Sequence, residues 1–142
     1  MKDKPEHAAQ VAVIDWKNAH IDQVPCLEWL HSDLNGIPLA GNPKTRGRIV
    51  NYMKAEGMVP GILDLSLDAA RRGYHGLRIE MKIHPNKPTG GQIEYMDYLA
   101  SEDYLAEVCY SAKQAVALLK WYLDIECDCV SCQLAAYDTQ GV

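Results

Sequence analysis

Asp64, Glu80 and Lys82 are the residues of this chain whose types and spacing best suit chemistry. Glu80 and Lys82 belong to Leu77 to Ile83, which alternates as Leu-Arg-Ile-Glu-Met-Lys-Ile; Asp64 belongs to Ile62 to Leu67, Ile-Leu-Asp-Leu-Ser-Leu. Both are period-2 patterns and predict strands with one apolar face. Side chains two apart share a strand face, so Glu80 and Lys82 project together, about 6.6 Å apart along the backbone. If the two strands pair, Asp64 lies beside Glu80. Adjacent carboxylates repel and need compensation. A divalent cation supplies it, and magnesium and manganese favour oxygen donors. A water on such an ion becomes a ready nucleophile, and a lysine can orient it or offset charge building on a phosphate. That set suits phosphodiester hydrolysis, although the same spacing also arises as exposed ion pairs on a hairpin.

The flanking elements must position these groups. Gly73 and Gly76 flank Tyr74-His75 as a hairpin connection between the two strands would. A first helix is expected from Pro5 to about His20, with Ala8, Val11, Ala12 and Ala19 as its apolar stripe. Cys26 to Leu34 reads as a strand, and Asn35-Gly36 as a turn. Asn42, Pro43 and Gly57 bound a second helix with Ile49, Val50 and Met53 on its inner face. A third helix runs from about Gly91 to Ser101 with Ile93, Met96 and Leu99 inward; Tyr104 to Tyr110 is another strand. Ser111, with Gln114 three residues on, opens a final helix that turns Ala115, Leu118, Leu119 and Tyr122 inward. The order implies a layered α/β domain over residues 1–124, and residues 125–142 read as a Cys-containing tail. Trp16, Trp29 and Trp121 are expected to pack rather than stack on bases.

The wording around the three residues is more specific than their spacing. Gly57-Met-Val-Pro-Gly-Ile-Leu-Asp64-Leu65 leads to Gly73-Tyr-His-Gly-Leu-Arg-Ile-Glu80-Met81-Lys82. This resembles the VRR-NUC domain, a branch of the PD-(D/E)XK nuclease superfamily. Gln92 matches the glutamine that opens the next helix in that family, Glu6 and Gln10 resemble its N-terminal Glu-x-x-x-Gln helix, and Asn35-Gly36 its Asn-Gly loop. Ile62-Leu63 departs from the family's small residue and proline but keeps the alternation. The resemblance covers about residues 5 to 123. It implies a restriction-endonuclease-like core, a central mixed β-sheet flanked by helices. It implies Asp64, Glu80, the Met81 carbonyl and Glu6 as metal ligands for Mg2+ or Mn2+, Lys82 positioning the attacking water, and Gln92 supporting the site. Small stand-alone members of the family resemble phage proteins and are similar to Holliday-junction resolvases that act as homodimers on branched DNA. A monomeric flap or fork nuclease is an alternative from the same class. Another is a catalytically silent DNA-binding or interaction protein organised around a Cys-bound metal.

The bulk composition fits this reading. The net charge is −5, but residues 44–87 hold nine Lys or Arg against four acids, which suggests a cationic face on an acidic body. Lys44, Arg46 and Arg48, on the second helix, are the leading phosphate contacts. No apolar run reaches the roughly 20 residues of a membrane span, and the polar start is unlike a secretory signal, so a cytoplasmic protein is expected. Five cysteines in such a chain are expected as reduced thiols. Cys127, Cys129 and Cys132 crowd together as Cys-x-Cys-x-x-Cys; a zinc site there needs a fourth ligand from Cys26, Cys109 or a histidine.

Overall fold

A computed structural model describes residues 4–33 and 39–137 of the chain. The expected Asn35-Gly36 turn lies outside the described residues. Helix α1 (Pro5–His20) is followed by a 3-10 turn (Pro25–Trp29), strand β1 (His31–Ser32), helix α2 (Pro43–Ala55) and strands β2 (Leu65–Leu67) and β3 (Leu77–Met81). Helix α3 (Gly90–Ser101), strand β4 (Leu105–Cys109), helix α4 (Ala112–Leu123) and helix α5 (Val130–Tyr137) complete the described chain. The strands form one mixed sheet in the order β1-β2-β3-β4, antiparallel except for the parallel β3–β4 pair, which α3 connects. The α/β architecture expected from the sequence is the one observed.

The two faces of the sheet differ as the alternation demands. Leu65, Leu67, Leu77, Ile79 and Met81 are buried and pack with Val13 and Trp16 of α1 and with Ala115, Val116, Leu119 and Tyr122 of α4. The Tyr122 hydroxyl, inside this layer, donates to the Ala69 carbonyl and so ties α4 to the β2–β3 connection. The opposite face carries Asp64, Ser66, Arg78, Glu80 and Lys82. The N-terminus of α3 lies against that face, since Gln92 reaches Glu80.

Four local expectations need correction. The buried stripe of α1 is Val13, Trp16 and His20, whereas Val11 is 42% exposed and Ala8 and Ala19 face solvent. The 3,4 spacing still defines the face; the large indole gains more from burial than the small alanines and sets which side turns inward. Cys26 to Leu34 is not one strand. Pro25 starts a 3-10 turn, and Leu27 and Leu30, three apart, are both fully buried, which matches three residues per turn. The hairpin reverses at Arg72-Gly73, upstream of the expected Tyr74-His75. Both residues have positive φ, and Arg71 and Tyr74 exchange backbone hydrogen bonds across them, the pattern of a two-residue hairpin loop that follows the strand twist. Finally, Ile93 of α3, and Trp29 and Trp121, are exposed, so Trp16 alone of the tryptophans is a core residue. Trp121 instead lies under the Arg72 guanidinium, 4.5 Å from its ring centroid.

The segment after Asp124, which reads as a tail, includes α5, and Cys132 of that helix packs on the core beside α1. No helix among the described residues is long and apolar enough to cross a membrane.

Candidate active site

The β2–β3 register pairs Leu65 with Ile79, which puts Asp64 opposite Glu80. Asp64 sits just ahead of β2, and its Oδ2 accepts from the Met81 backbone N–H at 2.8 Å. That bond turns the carboxylate across β3 toward Glu80. Lys82 lies one residue past β3, yet its N–H still reaches the Cys109 carbonyl at 2.9 Å. The ladder therefore holds Lys82 in strand geometry, with its side chain on the face of Glu80. Glu80 Oε1 receives two donors, Lys82 Nζ at 3.0 Å and Gln92 Nε2 at 2.7 Å. Glu80 is 2% exposed, and its Oε2 is buried with no hydrogen-bond partner among the described residues.

Gln92, which the resemblance implies as a support of the site, also serves the start of α3. Thr89 caps α3 by accepting from the Gln92 N–H at 3.2 Å, and Gln92 Oε1 accepts from the Thr89 N–H at 2.9 Å, a complete capping box. The amide nitrogen of the same side chain is left to hold Glu80. One residue thus stabilises the helix start and orients a buried acid. Gly61, the second glycine of the string that leads to Asp64, makes this possible. Its φ is +88°, and an added Cβ would lie 3.1 Å from the Gly91 carbonyl carbon. Only glycine combines that conformation with so close an approach, and it seats the loop before Asp64 against the start of α3. Sequence reasoning missed Asp33: its N–H donates to the Asp64 carbonyl at 3.1 Å, and its carboxylate accepts from Ser66 Oγ. No local motif marks it, because its partners are more than thirty residues away.

The electrostatics follow from burial. Asp64 is held above the usual carboxylate range chiefly by desolvation; the Met81 N–H and the Lys82 charge pull the other way, and the Glu6 carboxylate adds to the rise. Glu80 is also pushed up, first by burial and then by the charge of Asp64. Burial works to lower the Lys82 ammonium, but Glu80, Glu6 and Asp64 outweigh it and the net shift is upward. Three carboxylates therefore share one field with one cation nearby. The orphaned Glu80 Oε2 and this excess of anionic oxygen fit a hard divalent cation.

Asp64, Glu80, Met81, Lys82 and Gln92 thus converge, and Glu6 of α1 is near enough to influence two of them. Arg78, on the same sheet face, is taken up elsewhere, pairing with Asp68 at 3.0 Å and lying over the Tyr104 ring. Lys44, Arg46 and Arg48 are exposed on α2, a helix with no fully buried residue, and form no ion pair among the described residues. The structure leaves them free for an external anion and does not bring them into the acidic pocket.

No family model and no curated protein matches the sequence. Among solved structures, the chain is similar to a protein described as a VRR_NUC domain protein. The two share 27% identity and superpose with a TM-score of 0.67, over 87% of this chain and 92% of that one.

Proposed function

This chain has the VRR-NUC nuclease domain, and on that premise we propose that it is a Mg2+- or Mn2+-dependent, structure-specific DNA endonuclease that resolves four-way junctions as a homodimer in the cytoplasm. One observation carries the reading: two acids and an amine meet at a buried point where a carboxylate oxygen is left without a partner.

In this reading Asp64, Glu80 and the Met81 carbonyl would hold the ion, and Glu6 would extend the site. When bound, the ion supplies Lewis acidity and a water of lowered pKa. Lys82, anchored on Glu80, would orient an attacking water and face the charge that grows on the phosphate. Gln92 fixes Glu80 so that one of its oxygens stays free. Lys44, Arg46 and Arg48 bind the DNA backbone, which supports recognition by shape and charge rather than base sequence. Two copies related by twofold symmetry match a substrate with two equivalent strands.

A labelled four-way junction incubated with the protein and magnesium or manganese tests this. Paired nicks are expected, lost with chelator and lost in Asp64→Ala. If Asp64→Ala cuts as well as the parent, the site is misassigned. Stronger cutting of flaps or forks by a protein of monomeric mass replaces junction resolution with the flap-nuclease alternative.

A further inference from the structure

A second group of metal-type donors lies where the C-terminal segment closes on α1. The ligand atoms of His20, Cys127, Cys129 and Cys132 all fall within 4.8 Å of one another. They come from both ends of the chain, which is why no local motif contains them all.

His20 is 1% exposed and stacks on Trp16, with ring centroids 4.6 Å apart. Its Nδ1 lies 2.7 Å from the Trp16 carbonyl oxygen. A carbonyl only accepts, so Nδ1 carries the ring proton and Nε2 presents a lone pair. That lone pair faces the thiols, 3.2 Å from Cys129 Sγ and 3.5 Å from Cys132 Sγ. A histidine ligand whose other nitrogen donates to a main-chain carbonyl has the usual outer support of a metal site. Trp16 contributes a second such contact: its indole N–H donates to Cys132 Sγ at 3.1 Å. Lys120 Nζ fixes the Cys127 carbonyl at 2.6 Å and so holds the loop that carries the first thiol.

Three sulfurs and one imidazole nitrogen are a closed four-ligand set. Around a tetrahedral zinc, such donors lie roughly 3.5–3.8 Å apart. The observed separations, from 3.2 Å up to at most 4.8 Å, bracket that range, so small shifts bring the group to it. All five cysteines are free thiols, so none of the three is consumed in a disulfide. We propose that His20, Cys127, Cys129 and Cys132 bind one structural zinc ion, which staples α5 and the segment before it to α1. With four protein ligands no position stays open for substrate, so the ion is a fastening, separate from the acidic pocket. Binding takes the three sulfurs as thiolates and releases the protons they still carry.

The test uses the full chain. Zinc is measured on the purified, dialysed protein, and the protein is then exchanged with cobalt and its absorption recorded. One zinc per chain is expected, with an intense sulfur-to-cobalt charge-transfer band that the oxygen donors of the acidic pocket cannot give. Cys129→Ser and Cys132→Ser should each lose the band and most of the zinc, while Asp64→Ala keeps both. Folded parent protein that retains no zinc, or cobalt protein without the sulfur band, overturns the proposal, as does full zinc retention in the Cys129→Ser/Cys132→Ser double variant. The zinc content and the cobalt band are read without reference to cleavage, so the two readings stand or fall separately.

Discussion

The acidic pocket and the thiol–imidazole cluster solve the same problem, gathering like donors at one point, by different means. The pocket uses a sheet. Register and alternation bring Asp64, Glu80 and Lys82 onto one face, and the donors are hard oxygens. The cluster uses helix packing. Trp16 and His20 on α1 meet Cys132 on α5, and the donors are soft sulfur and nitrogen. Donor softness alone sorts the ions: carboxylates suit magnesium and manganese, thiolates suit zinc. The pocket also keeps a carboxylate oxygen without a hydrogen-bond partner among the described residues, whereas the cluster's donors face one another.

Substitutions that strike one region only can break this comparison. The largest effect is expected from Glu80→Gln, which should lower cleavage on the order of a thousandfold or more, as loss of a central charge-stabilising group does. The zinc content should stay unchanged; parallel loss of zinc would show that the two regions are not independent. Gln92→Ala removes half of a capping box and the clamp on Glu80. A loss of cleavage of about 10–100-fold is expected, the usual cost of an outer-layer partner, together with about 1 kcal/mol of stability. A drop in stability with normal kinetics would leave Gln92 as a cap alone.

A joint Lys44→Ala, Arg46→Ala and Arg48→Ala variant should bind all DNA forms more weakly. The slope of log affinity against log salt should fall by about 0.9 for each phosphate contact removed. An unchanged slope would move the DNA-binding face elsewhere. The smallest effect concerns pH and stability. Asp64 and Glu80 have raised pKa values in the metal-free fold, so the folded state holds their protons more tightly than the unfolded chain. Their contribution favours the fold below the ordinary carboxylate range and is lost as pH rises through the raised values. Denaturant unfolding without metal should therefore show Glu80→Gln gaining on the parent as pH rises toward neutrality. A pH-independent gap would contradict the charge conflict described for the pocket.

The pocket was legible in the sequence because a strand writes its geometry locally: residues two apart share a face, and one turn fixes the partner. Asp64, Glu80 and Lys82 follow from that rule, and the surrounding glycine-rich string raises its specificity. Features set by packing were harder to read. The α1 face is decided by which side chains bury the most area, so a count of alanines picked a neighbouring stripe. His20 escaped notice because a histidine does not look like a core residue, and its partners lie over a hundred residues away. A signal did exist: His20 sits four residues after Trp16, on the same helical face, and the Cys-x-Cys-x-x-Cys run lacked one ligand. The dual service of Gln92 was only half visible, since the resemblance implies its support of the site but not that one side chain does both. A capping pattern explains a glutamine fully, and nothing in the sequence says that its amide nitrogen remains free.

Helix α1 joins the two regions. Glu6 stands in its first turn and His20 closes it, a separation of about 21 Å at the rise of an α-helix. At physiological ionic strength, charges are screened over about 8 Å, so the two ends are insulated from each other electrically. Mechanically they are one rod. If zinc fastens its far end, the near end has less freedom to pivot, and an anchorage remote from the acidic pocket would set how steadily the Glu6 carboxylate is presented to it.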